Sequence, residues 1–407
     1  MNCRFCNEEN LEEFIDLNNA PASNSYLKSL TTVEPYYPLK VFTCPNCKLV
    51  QIDEVKSSAA IFDENYAYFS SYSKSWLVHC KNYVEKVTKR FDLNVDTQVV
   101  EIASNDGYLL QYFLEKSIPV LGVEPTANTA KIAQEKGINT LTEFFTTAQA
   151  EIMKNDGISP KLLLGNNVLA HVPDINDFVG GMKILLAYDG IITIEFPHLC
   201  ELISNNQFDT IYHEHYSYLS FTFVQRLFSK YDLELFDVEE ISTHGGSLRI
   251  YAKHSSYAGL IVEDSVKKLL DKELRLGINS NSYYREFQPK AEYIKIQLLD
   301  FLVTAKKEGK MVAAYGAAAK GNTLLNYCGI KKDLIEFVVD ANPHKQNNFM
   351  PGSHIPIVDD SYLHSKKPDF VLILPWNLTE EITESFAYIK DWGGKFLTAI
   401  PGLTIID

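Results

Sequence analysis

Four of the seven cysteines stand in two pairs, Cys3-Arg4-Phe5-Cys6 and Cys44-Pro45-Asn46-Cys47. One turn of a Cys-x-x-Cys segment presents both sulfurs to the same side, and two such turns can close a tetrahedron of thiolates around Zn²⁺. A disulfide would need an oxidising compartment, and the N-terminal residues read as no secretory leader, so the expectation is a structural zinc in a cytoplasmic protein. Cys80, Cys200 and Cys328 are scattered and read as packed core residues. A second reactive cluster is Tyr212-His213-Glu214-His215-Tyr216, which follows an apolar run ending at Glu195-Phe196-Pro197. Imidazole titrates near neutrality and is the usual general base for a moderately acidic carbon proton. Half of a metal site is the lesser alternative for His-x-His, since its nearest neighbours are aromatic or hydroxyl residues and the thiolates already account for a zinc. His171, in Asn166-Asn167-Val168-Leu169-Ala170-His171, lies just past a predicted strand, where ligands of doubly wound sheets bind. The run Tyr66, Tyr68, Phe69, Ser70, Ser71 and Tyr72 carries many hydroxyls that need partners if buried.

Two further segments have the character of nucleotide loops. The strand-like residues 99–103 run into Ser104-Asn105-Asp106-Gly107, residue types that tolerate the left-handed backbone of a tight turn. The next strand ends in Glu124, placed to accept hydrogen bonds from two ribose hydroxyls. The G-x-G-x-x-G of a dinucleotide site is absent, and the spacing favours S-adenosylmethionine. Candidate cofactor contacts are Glu101, Ala103, Asn105, Asp106, Gly107, Glu124, Asn166 and Asn167. A strand-turn-helix without ligand is the plainer alternative. Further on, 311–315 leads into Gly316-Ala317-Ala318-Ala319-Lys320-Gly321-Asn322, a small-residue turn opening a helix whose free N–H groups suit a phosphate. Lys320 adds a mobile positive charge. His244, Arg249, Asn322 and Asp340 are further candidates for contacts with a sugar nucleotide, although small residues also simply permit close packing.

These residues need a frame. With 46% apolar and 22% charged residues in a chain of 407, the composition is that of a globular protein with two or three cores. A net charge of -14 argues against binding to a nucleic-acid polymer, and no apolar run reaches the roughly 18 residues of a membrane span. Residues 1–55 carry the cysteine knuckles and a hairpin-like 39–43, too little to bury a core without a metal. Residues 56–260 alternate strand and helix, with strands at 99–103, 120–124, 162–167, 191–196, 233–241 and 248–252, a doubly wound sheet with a final antiparallel pair. Residues 261–407 begin with a helical connector at 263–307 and resume the alternation at 311–315, 335–340, 370–374 and 396–400.

Taken in order, the knuckles, Tyr66-Ala-Tyr68, Glu101-Ile-Ala-Ser-Asn-Asp-Gly107, Asn167-Val-Leu-Ala-His171, Tyr212-His-Glu-His215, Thr243-His-Gly-Gly-Ser-Leu-Arg249 and Tyr315-Gly-Ala-Ala-Ala-Lys320-Gly-Asn322 resemble the nucleotide-sugar C-methyltransferases. The resemblance spans nearly the whole chain. It implies an α/β fold: a class I methyltransferase sheet, a small N-terminal zinc-binding domain and a C-terminal Rossmann-like domain that helps hold the nucleoside diphosphate. It further implies methyl transfer from S-adenosylmethionine to the carbon beside the ketone, C3 most naturally, of a dTDP-linked 4-keto-6-deoxyhexose. His215 would be the base, with Glu214, Tyr212, Tyr66 and His171 around the sugar, and Tyr68 among the substrate contacts. The expected partner is a nucleotide sugar, the expected state a monomer or weak homodimer. Sugar O-methylation and a non-catalytic zinc and nucleotide module are the rival readings.

Overall fold

The computed structural model describes residues 1–57 and 69–406, so Tyr66 and Tyr68 lie outside the described residues. Three sheets organise the rest. The first contains β1 (Glu12–Ala20), β2 (Tyr37–Thr43), β3 (Val50–Ile52) and β9 (Ser217–Tyr218), all antiparallel, in the order β1-β2-β3-β9. In β2 Leu39, Val41 and Thr43 alternate inward, the period-2 pattern of a half-buried strand. β9 belongs to the middle of the chain and carries the two residues after Tyr216. The sheet that was expected to be local is therefore completed by a remote segment.

The second sheet has the order β10-β11-β8-β7-β4-β5-β6. Its strands are β4 (Val99–Ile102), β5 (Val120–Val123), β6 (Thr140–Leu141), β7 (Leu162–Asn166), β8 (Ile191–Pro197), β10 (Leu233–Ile241) and β11 (Ser247–His254). From β8 to β6 all pairs are parallel, whereas β11 runs antiparallel to β8 and β10 antiparallel to β11. β4 and β7 are buried throughout, as strands covered on both faces must be. The chain winds one way from β4 through β5 to β6 and the other way through β7 to β8. Its switch point, between the carboxyl ends of β4 and β7, is where such sheets bind ligands.

The third sheet comprises β12 (Val312–Tyr315), β13 (Val338–Val339), β14 (Ile357–Val358), β15 (Phe370–Ile373), β16 (Lys395–Thr398) and β17 (Thr404–Ile406), ordered β14-β13-β12-β15-β16-β17. Only β17 is antiparallel to its neighbour. The connector at 263–307 is broken into helices Asp264–Leu276, Asn281–Arg285 and Phe287–Lys307. Gly277, at φ 93°, closes the first in the left-handed conformation, and the Ser280 side chain caps the second.

The N-terminal segment has no private core. Phe14 stacks on Phe287 at 4.9 Å, and Phe14, Ile15, Leu39 and Val41 share one apolar cluster with Leu298, Leu302 and Leu372. Cys3, Cys44 and Cys47 share another with Phe223 and Val224. It is wedged between the two larger units.

Candidate active site and metal centre

The knuckles converge. Sγ of Cys3 and Cys47 are 3.5 Å apart, as are those of Cys6 and Cys44, and all four sulfurs lie within 4.8 Å of one another. Thiolates about 2.3 Å from a tetrahedral Zn²⁺ sit roughly 3.8 Å apart, so the donor set fits the ion. Both knuckles end alike: Asn7 (φ 63°) and Lys48 (φ 65°) turn left-handed, and their amides donate to Cys3 O and Cys44 O at 2.9 Å.

At the switch point a cavity of about 390 Å³ opens between Ala103, Asn105, Glu124, Asn166, Asn167 and His171. The loop below it is left-handed at Ala103 (φ 57°), Asn105 (φ 48°) and Gly107 (φ 74°). A Cβ on Gly107 would stand 2.4 Å from Ile138 Cδ1, the movable tip of a side chain, so it is chiefly the left-handed angle that calls for glycine there. Glu124 accepts from the amides of Asn105 (2.8 Å) and Thr126 (2.9 Å) and from the Thr126 hydroxyl. A carboxylate has about four acceptor sites. Three are spent on the protein, which leaves room for about one ribose hydroxyl where two were expected. Burial pushes the Glu124 carboxyl up, against these hydrogen bonds.

Glu101, Asp106 and Gly107 lie behind the cavity wall. Glu101 is fully buried, and burial, helped by the nearby Glu124 and Asp106, pushes its carboxyl well above the carboxylate range against a hydrogen bond with Tyr108. Asp106 accepts from Ser71 N–H at 3.3 Å and faces Lys136 at 3.7 Å. Trp76, Tyr108, Phe144 and Phe145 line the cavity and were missed. Phe144 and Phe145 follow β6, whose two residues are too few for any periodicity to register.

The histidines meet at the same edge. His215 stands with its ring centroid 4.6 Å from that of His171, nearly edge-on, and 4.1 Å from that of Tyr212. Its Nδ1–H donates to Thr210 O at 2.9 Å, which leaves the lone pair on Nε2. Burial, then the neighbouring His171, His244 and Lys320, drive the His215 pKa well below its ordinary value. Burial brings His171 down to about 4, and burial with Lys320 does the same to His244. The rings are neutral at pH 7. His244, left-handed at φ 54°, accepts a hydrogen bond from Asn167 Nδ2 at 3.1 Å.

Several expectations are corrected here. Glu214, expected around the sugar, spends an oxygen on the protein itself. It accepts from Asn24 Nδ2 at 2.7 Å, and burial raises it to about 7. His213 turns to Pro38 O (3.3 Å) against Tyr37, and among the described residues neither it nor His215 joins a group of metal-ligating side chains. Arg249 is buried and committed: Nη2 donates to Glu195 at 2.6 Å and the guanidinium lies 4.5 Å over the Tyr83 ring. Burial alone would raise Glu195, but His79, Arg249 and Thr243 outweigh it and hold the carboxyl at about 2. A Glu inside the apolar run of β8 was the signal for this cluster. Asn322 donates to Ser23 O, and Asp340 accepts from the amides of Ala317 (2.7 Å) and Asn342 (2.8 Å), so both brace the protein's own loops.

Lys320 is not remote from the histidines. Its Nζ donates to Asn377 Oδ1 at 2.6 Å and stands 4.5 Å over the Trp376 ring, and its charge is felt by His215 and His244. Opposite lies Asp209, fully buried, which accepts from Trp376 Nε1 at 2.8 Å and is pushed up by burial to about 6.

Over its full length (100% of this chain and 96% of the relative, 408 aligned residues) the sequence is 33% identical to the C-methyltransferase NovU of Streptomyces niveus. The chain belongs to the C-methyltransferase family. Three family profiles divide it: a zinc binding domain over 3–62, a methyltransferase domain over 78–238 and a C-methyltransferase C-terminal domain over 242–401. The enzyme is thus an S-adenosylmethionine-dependent C-methyltransferase with a zinc centre, which sets aside the non-catalytic reading. Solved structures of lower likeness include an S-adenosylmethionine-dependent methyltransferase from Anabaena variabilis (16% identity, 47% of this chain and 89% of that one, TM-score 0.37). Another is the magnesium protoporphyrin IX methyltransferase of Synechocystis (13% identity, 43% and 78%, TM-score 0.34). Among the described residues no helix is long and apolar enough to cross a membrane.

Proposed function

We propose that this C-methyltransferase acts on a nucleoside-diphosphate-linked keto-deoxysugar, most naturally a dTDP-4-keto-6-deoxyhexose, at C3 beside the ketone. The observation that carries the reading is the tautomer of His215: Nδ1–H is tied to Thr210 O, so the basic lone pair is on Nε2, in a ring packed against His171 and Tyr212. A carbon nucleophile must first be made. His215 Nε2 takes the proton, the C–H electron pair moves into the enolate, and the enolate carbon then forms the new C–C bond. S-adenosylmethionine, when bound against Asn105 and Glu124, would supply the methyl, its sulfur keeping the electron pair of the broken S–C bond so that S-adenosylhomocysteine leaves. A Tyr212 or His171 donor on the enolate oxygen would contribute about 3–4 kcal/mol, as oxyanion donors do. Exclusion of water on substrate binding would favour charge cancellation between enolate and sulfonium. Lys320, at the first turn of the helix Ala319–Cys328, supports an anionic sugar nucleotide whose diphosphate comes close to the histidines.

The test is direct. The protein is incubated with S-adenosylmethionine and a panel of dTDP-, CDP- and GDP-linked keto-deoxysugars, and products are read by mass spectrometry and NMR. A carbon-bound methyl next to the ketone supports the reading. Turnover confined to a substrate without a nucleoside diphosphate, or a methyl at a carbon not adjacent to a carbonyl, overturns it.

A further inference from the structure

We infer that Arg4, inside the first cysteine knuckle, is a positioning residue that sets His171 against His215. The inference rests on the reading of His215 as base only for its kinetic consequence, since the geometry stands without it. Arg4 is anchored by its neighbour, because the Cys3 amide donates to Glu8 O at 2.8 Å and Cys3 O receives the Asn7 amide at 2.9 Å. From that fixed point the guanidinium spreads over two segments. Nη1 donates to Pro173 O at 2.9 Å, two residues past His171. Nη2 donates to Ile52 O and Nε to Gln51 Oε1 at 3.3 Å, both on β3.

β3 is in turn hydrogen-bonded to the strand that leaves His215. Gln51 pairs with Ser217, and the Ile52 amide donates to Tyr216 O at 3.1 Å. The Arg4 guanidinium also lies 5.4 Å over the Tyr216 ring. Asn176 closes the brace from the other side, with Nδ2 donating to Arg4 O at 2.8 Å and Phe5 O at 3.2 Å. One planar fork therefore ties the loop after His171 to the strand after His215, and the two rings it spans stand 4.6 Å apart. Only arginine has the donors for this. A lysine ammonium is a point charge that cannot hold diverging acceptors in one plane. The knuckle thus does more than fold the N-terminal segment: it gauges the catalytic pocket.

Arg4→Ala, Arg4→Lys and, as a control, Arg226→Ala are made in the full-length protein. Arg226 also reaches the metal centre, through Asn46 O and Cys47 O at 3.4 Å, but touches neither histidine strand. Zinc content, kcat, both KM values and histidine-selective ¹⁵N spectra are measured. Both Arg4 variants are expected to keep their zinc and KM values while kcat falls about 10²-fold, the loss typical of a 1 Å misplacement. The His171 and His215 resonances should move while those of His254 and His364 stay, and Arg226→Ala should retain turnover. Unmoved His171 and His215 signals in a folded Arg4→Lys protein, or a turnover loss matched by Arg226→Ala, would overturn the inference. Should Arg4→Ala fail to fold, Arg4→Lys decides. A failure of the base reading appears separately, as hydrogen exchange that survives His215→Ala, and leaves the spectra as the test of Arg4.

Discussion

The imidazole of His215 hangs from the carbonyl oxygen of Thr210 by a 2.9 Å hydrogen bond. Because the acceptor is backbone, the tautomer is fixed by the turn itself and survives any single side-chain change nearby. His215→Ala is therefore expected to lose about 10²- to 10⁴-fold in rate, the contribution of a positioned base. The same loss should appear in exchange of the substrate α-hydrogen with D₂O when S-adenosylhomocysteine occupies the cofactor site. Binding of both ligands should be retained. Exchange that persists in this variant but vanishes in His171→Ala would hand the base role to His171.

Glu214 leaves a signature in stability. Its folded pKa of about 7 lies above the ordinary carboxylate value of 4.5 because burial disfavours the charge. The folded state therefore binds the proton more tightly than the unfolded one. The stabilisation is complete below about pH 4.5 and is lost as pH rises towards 7. Glu214→Gln keeps an acceptor for Asn24 without the titration. Its Tm relative to the unmodified protein should rise steadily across that window and level off above it, and a difference independent of pH would show that Glu214 does not titrate there.

The cysteine cluster is expected to carry one zinc per chain, measurable by elemental analysis. The double change Cys44→Ser and Cys47→Ser should bring metal to background and lower Tm. Because Cys3, Cys44 and Cys47 pack in the same apolar cluster as Phe223 and Val224, the loss should extend beyond the N-terminal segment. Protection of amides in the helix Phe221–Lys230 from hydrogen exchange should fall with it, and undiminished protection would separate metal from core.

What the sequence disclosed follows from how local each feature is. The cysteine knuckles, the loop at 104–107 and the strands β4, β5, β7 and β8 are written in short spacings and apolar runs, and they stand where expected. β6 and β9 are two residues each and exist only through remote partners, so no local pattern could announce them. Arg249 was read as a substrate contact because a lone arginine beside glycines looks available. Its partner Glu195 is directly opposite across the β11–β8 register, which no spacing within the sequence reveals. Asn24 likewise reaches Glu214 from the N-terminal segment, a partner that no local spacing reveals.

Glu124 braces the loop at 104–107, and with the proposed cofactor contact a substitution should uncover two effects. Glu124→Ala orphans the amides of Asn105 and Thr126 and removes the acceptor proposed for the cofactor. S-adenosylmethionine binding should weaken by about 1.5–3 kcal/mol, the range for a hydrogen bond to a charged group, as read by calorimetry. A fall in Tm without cofactor should accompany it. An unchanged dissociation constant in the folded variant would move the cofactor away from the ends of β4 and β5.

Lys320→Ala separates substrate binding from control of the base. A diphosphate contact alone would raise KM for the sugar nucleotide and leave kcat nearly untouched, as uniform binding does. The lysine, however, sits where its charge depresses His215 and His244. Removing a cation makes the imidazolium easier to form, so the His215 pKa should rise and the acid limb of the kcat/KM profile should move to higher pH. The buried Asp209, left without the nearby cation, pulls the same way when ionised, and Asp209→Asn in the Lys320→Ala background subtracts that contribution. Both effects are expected together: a raised KM, with weaker inhibition by the free nucleoside diphosphate, and an acid limb displaced upward. A raised KM with an unmoved acid limb would confine Lys320 to the diphosphate, whereas an unmoved KM would remove it from the sugar-nucleotide site.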